Sequence, residues 1–220
     1  MKLDRKYILD LAKEILMIPS PSGYSKKIVP RILEEANKYE LASEQTKKGN
    51  LIITYPGKTD YKVGLSVHVD TLGAMVRSIN SAGEIKFTTI GGPIWPTLDG
   101  EYCTIRTREG KDYTGTFLST SPAAHVFKDA SSKTRTPENM FVRVDEVVKT
   151  KEDTQKLGIE VGNFIFIDPK TTITESGFVK SRFLDDKINV ASIFGMIKYL
   201  KENKITPNYT LKFIISTNEE

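Results

Sequence analysis

The sequence has 220 residues, of which 39% are hydrophobic and 27% charged, so it is long and apolar enough to form one or two domains with sizeable cores. The net charge of +4 is modest, and the basic residues are scattered rather than clustered, which argues against nucleic acid as a partner. The single cysteine, Cys103, excludes an internal disulfide framework and fits a reducing compartment.

Membrane insertion and secretion are not indicated. No apolar segment approaches the roughly 20 residues that span a bilayer, and the amino-terminal segment lacks the uninterrupted apolar core of a secretory signal. We therefore expect a soluble, cytoplasmic protein without a membrane partner. Cys103 alternates with polar neighbours, which favours a packed strand residue over a nucleophile.

The first part of the chain has an α/β pattern. Asp4 is placed to cap a helix with apolar residues at helical spacing, and a Pro-Ser-Pro turn leads into a second helix over 25–39. Two strands follow at 51–55 and 61–69. The second is almost continuously apolar near its end, so we expect it to be buried on both faces of a sheet.

The middle of the chain, 73–162, differs from what precedes it. Alternating segments separated by glycine and proline turns predict a small all-β barrel or sandwich with one short helix at 150–157. The predicted strands are 84–90, 101–107, 112–118 and 140–144.

The α/β pattern then resumes. A helix over 186–202 and a strand over 209–216 complete it. The sequence therefore predicts an α/β domain formed by 1–72 and 163–220, with a mixed sheet flanked by helices, interrupted by a β domain at 73–162.

Three polar clusters lie at the ends of these elements. His68 and Asp70 end one strand, Asp185-Asp186 begins a helix, and Glu219-Glu220 follows the last strand. Ligand sites in α/β sheets lie outside the carboxyl ends of strands, so we expect the three clusters to converge. Each cluster alone also fits a plainer role: a polar loop, a helix cap or a solvated terminus.

The residue types suit a pair of divalent cations. Imidazole binds zinc or cobalt through one ring nitrogen, and a carboxylate two residues away can hold the other nitrogen. A carboxylate such as Asp185 can bridge two metals, which in hydrolases lie about 3.5–4 Å apart. A nearby Glu can then act as general base toward a metal-activated water.

The clusters resemble those of a known family, the dinuclear metallo-aminopeptidases that form tetrahedral shells. This family includes glutamyl and deblocking aminopeptidases and members labelled endoglucanase. The resemblance rests on the order of five segments: Ile18-Pro19-Ser20-Pro21-Ser22-Gly23, Val67-His68-Val69-Asp70, Leu157-Gly158-Ile159-Glu160-Val161-Gly162, Leu184-Asp185-Asp186-Lys187 and Asn218-Glu219-Glu220.

The resemblance implies a function and a set of roles. It implies a phosphorylase/hydrolase-like α/β catalytic domain with an inserted PDZ-like β domain that mediates homo-oligomer assembly, two zinc or cobalt ions, and release of amino-terminal residues from peptides. The implied roles are metal ligation by His68, Asp185 (bridging) and Glu220, support of His68 by Asp70, an outer position for Asp186, and general-base catalysis by Glu219.

The same resemblance implies missing parts. The family pattern continues for roughly another hundred residues, as ordinary domain size allows, and these carry a further carboxylate and a final histidine ligand. We therefore expect a chain shortened at its C-terminus and incomplete as an enzyme on its own. The second histidine, His125, lies in the inserted domain, and we expect a polar loop role or a contact near a neighbouring subunit's site rather than metal ligation.

Other functions stay open at this point. A related deacylase or carboxypeptidase would use the same metals, and a non-catalytic assembly or binding subunit would need none of them. A glycosidase is disfavoured, because acids adjacent in sequence do not define the two-sided geometry of glycoside cleavage.

Overall fold

The structure, a computed structural model, describes residues 3–220 and divides into two units. Unit 1 runs to Thr71 and resumes at Pro169, and unit 2 is Leu72–Asp168. Residues 1 and 2, which the predicted α/β domain includes, lie outside the described part. The second unit extends beyond the predicted boundary at residue 162, because one more strand completes it.

Unit 1 contains three helices and six strands. Before the insertion these are α1 (Arg5–Met17), α2 (Ile28–Lys38), β1 (Ala42–Gln45), β2 (Leu51–Tyr55) and β3 (Thr59–His68). Unit 2 then contributes β4 (Gly73–Ile79), β5 (Ile85–Ile90), β6 (Tyr102–Arg106), β7 (Asp112–Ser119), β8 (Met140–Val144), α3 (Lys151–Lys156) and β9 (Phe164–Ile167). Unit 1 resumes with β10 (Thr172–Ile173), β11 (Val179–Lys180), α4 (Leu184–Glu202) and β12 (Tyr209–Ser216).

The main sheet of unit 1 has the strand order β1-β2-β12-β3. Its first two pairings are antiparallel, whereas β12 and β3 run parallel with Ser216 opposite His68. Because parallel strands end at the same edge, the residues after Ser216 and those after His68 leave the sheet side by side.

The expected burial of β3 on both faces is wrong. Its residues are exposed or half-buried until His68, which is buried. The reason is its position, because among the described residues β3 is a terminal strand of the sheet and pairs with β12 alone. A nearly continuous apolar run is typical of central strands, and the sequence pattern does not distinguish the two positions.

Helices α1 and α4 pack closely against each other in unit 1. Asp4 caps α1 as predicted, accepting a hydrogen bond from the Tyr7 N–H. A side chain at Gly195 of α4 would meet Ile8 at 2.4 Å, so the absence of a Cβ permits the approach. Apolar residues of α1, α2, α4 and the sheet form the core of unit 1: Leu11, Ile15, Ile32, Ile53, Phe194 and Phe213.

Unit 2 is a closed barrel with the strand order β4-β5-β8-β7-β6-β9. Of the two architectures that the alternating segments predicted, barrel or sandwich, the described strands form the barrel. The sequence did not predict β4 and β9, which pair with each other and join the two ends of the inserted segment. The barrel interior is apolar and contains Val76, Phe87, Ile105, Phe117, Val142 and Ile165.

Helix lengths and compositions bear on membrane association. Within residues 3–220, every helix is too short or too polar to cross a bilayer.

Candidate metal centre

The candidate site lies within unit 1, where β3 and β12 end. The paired ends place His68 and Asp70 beside the turn that follows Ser216. A hydrogen bond from the Val69 N–H to the Ser216 carbonyl (2.9 Å) continues the pairing past the sheet. The ends of β3 and β12 therefore share one edge of the sheet, and the start of α4 meets them there through Asp185 and Asp186.

His68 uses its two ring nitrogens in different directions. Its Nδ1 lies 3.1 Å from the Asp70 carbonyl oxygen and 3.5 Å from Asp70 Oδ1. Its Nε2 lies 3.1 Å from Asp185 Oδ1 and 3.7 Å from Glu219 Oε2. Both ring nitrogens thus face acceptors, Nδ1 the buried Asp70 and Nε2 the exposed Asp185, and a cation bound at Nε2 would leave the proton on Nδ1.

Asp70 is 1% exposed and holds the turn after β12. Its Oδ2 accepts hydrogen bonds from the backbone N–H groups of Glu219 (2.9 Å) and Glu220 (3.1 Å) and from the Ser22 hydroxyl. Its Oδ1 is buried without a hydrogen bond and faces the His68 ring. The carboxylate thus holds the backbone of the two glutamates, whereas the hydrogen bond to His68 comes from the Asp70 backbone carbonyl, with Oδ1 beside the ring.

Asp185 and Asp186 begin α4 in non-helical conformations, and the peptide bond between them is cis. The Asp185 side chain is 89% exposed and reaches the His68 ring. Asp186 Oδ2 accepts a hydrogen bond from the His68 N–H (3.4 Å), and its Oδ1 accepts one from Asn189 (2.6 Å). Asp186 thus supports the backbone of His68, and one of its oxygens also lies within 4.8 Å of a ring nitrogen of that residue.

The turn that carries Glu219 and Glu220 is also held by Asn50, which directly precedes β2. Thr217 donates its N–H (3.0 Å) and its hydroxyl (3.1 Å) to the side-chain oxygen of Asn50. These two bonds to Asn50, together with the two backbone bonds to Asp70, set the path of the chain, while both glutamate side chains remain exposed. Neither Asn50 nor Thr217 was singled out in the sequence, because ordinary polar residues near a strand carry no distinguishing signal.

Like charges accumulate at the site. Partial burial and the negative charges of Glu219, Asp70 and Asp185 raise the pKa of Glu220, against the opposing effect of His68. Burial would lower the pKa of His68, but its hydrogen bonds to Asp185 and Asp70 and the nearby carboxylates raise it overall. The cluster therefore favours positive charge at its centre.

Lys187 is a buried amine that the sequence did not distinguish from the helix surface. Its ammonium donates to the Ile18 carbonyl (2.7 Å), and the side chain is fully buried. Burial lowers its pKa to about 7, although the charge of Asp70 opposes the shift. Lys187 links α4 to the loop at 18–23. The sequence predicted a turn in this loop, and only the family resemblance connected the loop with the metal site.

The donor atoms fit a divalent cation. Ligand atoms of His68, Glu219 and Glu220 lie within 4.8 Å of one another, as do those of His68, Asp185 and Asp186. Imidazole with several carboxylates suits zinc, cobalt or manganese, and the unpaired buried oxygen of Asp70 matches a carboxylate that orients a ligating histidine. His68 belongs to both groups.

Two other candidates from the sequence lie in unit 2. His125 is exposed in the loop after β7 and is in neither group. Cys103 is buried in the barrel, and burial raises the pKa of its thiol. Burial and a raised pKa make this thiol unreactive, in agreement with the packing role predicted for it.

Comparison with known proteins defines the class. The profile of the M42 glutamyl aminopeptidase family matches residues 49–220. The chain belongs to this family. It is 44% identical over 213 residues to a Bacillus subtilis (strain 168) relative named "Putative aminopeptidase YhfE", covering 96% of this chain and 62% of that protein. The chain thus spans less than two thirds of that relative's length.

Solved structures share the fold at low identity. A TET aminopeptidase from a marine-sediment thaumarchaeon superimposes with a TM-score of 0.86 at 22% identity, covering 97% of this chain and 59% of that one. The TET1 peptidase of Pyrococcus horikoshii, described as assembling into a tetrahedron or a large octahedral shell, gives 0.79 at 22% identity, covering 96% and 61%. These likenesses establish a mixed α/β fold.

Proposed function

We propose that the chain carries the metal centre of an aminopeptidase that removes amino-terminal residues from peptides. The observation that carries the proposal is the convergence of His68 with Asp185 and with Glu219-Glu220 at one sheet edge. Family membership and the name of the Bacillus subtilis relative support the reaction type.

The residues present would hold two divalent ions, zinc or cobalt. His68 and Glu220 would each bind one ion, Asp185 would bridge them, and Asp70 would orient His68 while Asp186 holds the backbone. When bound, such ions polarise a substrate carbonyl and acidify a water molecule. The accumulated negative charge around Glu220 supports a cationic occupant.

Glu219 would move the proton. Its side chain is 60% exposed and its Oε2 lies 3.7 Å from His68 Nε2, so it is accessible to solvent beside the proposed ions. It takes a proton from the attacking water as the water oxygen bonds to the peptide carbon. It then delivers that proton to the leaving nitrogen as the C–N bond breaks, giving a free amino acid and a shortened peptide.

The remaining features of the proposal concern the whole protein. We infer a cytoplasmic homo-oligomer in which the barrel, as a PDZ-like module, joins subunits. The shells described for the Pyrococcus horikoshii peptidase support an assembled state. Mass measurement of the purified protein by multi-angle light scattering would show an assembly, and a monomer with an intact barrel would contradict this part.

A second candidate is a non-catalytic assembly or binding unit. The observation favouring it is that the described cluster has one histidine, while Asp185 is almost fully exposed. Metal analysis and hydrolysis of aminoacyl-anilides, with and without a chelator, separate the two functions. Two equivalents of metal per chain and chelator-sensitive release of the anilide support the aminopeptidase. Absence of both metal and turnover supports the non-catalytic unit.

A further inference from the structure

Asp70 distributes its two carboxylate oxygens between different partners. Oδ2 receives three donors, the N–H groups of Glu219 and Glu220 and the Ser22 hydroxyl at 2.5 Å. Oδ1 receives none of these and lies 3.5 Å from His68 Nδ1. The orientation of the carboxylate plane therefore decides whether Oδ1 stays beside the histidine ring while Oδ2 holds the glutamate turn.

Ser22 is itself held in place by backbone bonds. Residues 20–22 run beside 69–71: Thr71 N–H donates to the Ser20 carbonyl (3.0 Å), and Ser22 N–H donates to the Thr71 carbonyl (3.3 Å). At the base of the same loop, Lys187 holds the Ile18 carbonyl (2.7 Å). The backbone that carries Ser22 is thus held by the 69–71 segment and by α4.

We propose that Ser22 is a positioning residue of the metal centre: its hydroxyl locks the Asp70 carboxylate in the orientation that serves His68 and the Glu219-Glu220 backbone together. This inference rests on the proposed metal centre for its consequence, but not for its geometry. Ser22 contacts neither a proposed ligand side chain nor the reacting atoms.

Ser22 can have this effect because the carboxylate group of an aspartate rotates easily about its terminal torsion. The terminal torsion of Asp has broad, shallow preferences, so neighbouring donors set it. Of the three donors on Oδ2, Ser22 alone supplies a side chain and comes from a segment outside the sheet edge. Without it, rotation of the carboxylate toward His68 would cost only the two backbone bonds, and the turn after β12 would loosen.

The test uses the full chain without metal first. With only two histidines, His68 and His125, ¹⁵N-histidine labelling gives a site signal and an internal reference. We expect the proton of neutral His68 to reside on Nδ1 in the wild type. In Ser22→Ala that preference should weaken, and amide exchange at Glu219 and Glu220 should accelerate about tenfold. Cobalt affinity should then fall about 10- to 100-fold, as is typical when a group supporting a metal ligand is lost.

Two matched variants separate positioning from general support of the loop. Ser22→Thr keeps the hydroxyl and should restore the His68 signal, the amide protection and cobalt binding. Ser20→Ala removes a hydroxyl from the same loop, one that donates to the Val69 carbonyl and does not contact Asp70, and should leave the three readouts unchanged. If Ser22→Ala does not fold, Ser22→Cys, with its weaker donor, should give an intermediate exchange rate.

The outcomes decide the role directly. Wild-type amide protection and an unchanged His68 tautomer in Ser22→Ala would overturn the proposal, as would equal changes in Ser20→Ala or failure of Ser22→Thr to restore them. If wild-type protein binds no cobalt, the proposed function fails, while the metal-free exchange and ¹⁵N comparisons still decide the role of Ser22.

Discussion

The two units bury different kinds of side chain. In the described part of unit 1, four acidic or basic side chains are buried: Glu35, His68, Asp70 and Lys187. In the described part of unit 2, the buried charged side chain is Arg106, whose partner Asp112 is 45% exposed, and the remaining buried polar groups are neutral residues. The barrel therefore keeps its charges near solvent.

This difference shows where the chain accepts an energetic cost. Burying a charge is unfavourable unless it is paired and hydrogen-bonded, so a fold selected for stability alone would avoid it. Three of the four groups in unit 1, His68, Asp70 and Lys187, lie along the proposed metal centre and its supporting loop. Glu35 differs, because it is neutralised on α2 by Arg31 and Lys38 at 2.8 Å each.

The largest expected effect is on catalysis at unit 1. Glu219→Gln keeps the size of the side chain but removes the proton acceptor, so turnover of aminoacyl-anilides should fall about 10²- to 10⁴-fold while bound metal is retained. Steady-state kinetics and metal analysis measure the two quantities. Glu109→Gln, in an exposed turn of the barrel, is the matched control and should leave both unchanged. Equal loss of metal and turnover would contradict the proton-transfer role of Glu219.

The next effect concerns stability. Asp70→Asn should lower the free energy of unfolding by about 2–3 kcal/mol, because an amide cannot serve the three donors and the histidine as the charged carboxylate does. Asp112→Asn, at the half-exposed partner of Arg106, should cost less than about 1 kcal/mol. Urea denaturation measures both. Equal losses would remove the contrast between the units.

A smaller effect is pH-dependent. The pKa of Glu35 is lowered from 4.5, since hydrogen bonds from Lys38, Tyr7 and Arg31 outweigh the cost of its burial. A lowered folded-state pKa means that its stabilisation is present above the unfolded-state value and is lost as pH falls through the folded-state value. Glu35→Gln should therefore cost about 1–2 kcal/mol near neutral pH.

The difference between Glu35→Gln and the wild type should shrink in acid. Urea denaturation across pH 7 to about 3 measures it, spanning the reference range for Glu. Glu34→Gln, at the exposed neighbour, provides the control and should show no such trend. A penalty that stays constant with acidification would contradict a charged Glu35 in the fold.

The smallest expected effect is in unit 2. Cys103 is buried with a raised pKa, so its thiol should resist a disulfide reagent in the native state and react upon unfolding. Because it is the single cysteine of the chain, the reagent reports on the barrel alone. Fast labelling of native protein would show that the barrel opens readily.

In both units, the sequence predicted features that depend on local signals and missed those that depend on residues distant in sequence. Alternation identified four barrel strands, the resumed α/β pattern identified β12, and Asp4 identified the start of α1, because these signals are local. The exposure of β3 and the pairing of β4 with β9 depend on neighbours distant in sequence, and so do the supporting bonds from Ser22, Asn50 and Lys187. Three clusters were correctly placed at element ends, but their mutual distances arise from the register between β3 and β12.

The pairing of β4 with β9 has a consequence for assembly of the chain. These strands enter and leave the inserted segment, so once the barrel has folded its two ends lie next to each other. The connection from β3 to β12 then behaves as if it lacked roughly the hundred residues of the barrel, which lowers the entropic cost of closing it by about 1 kcal/mol on a logarithmic scaling. Early folding of the barrel would therefore shorten the effective connection between β3 and β12 and favour their pairing.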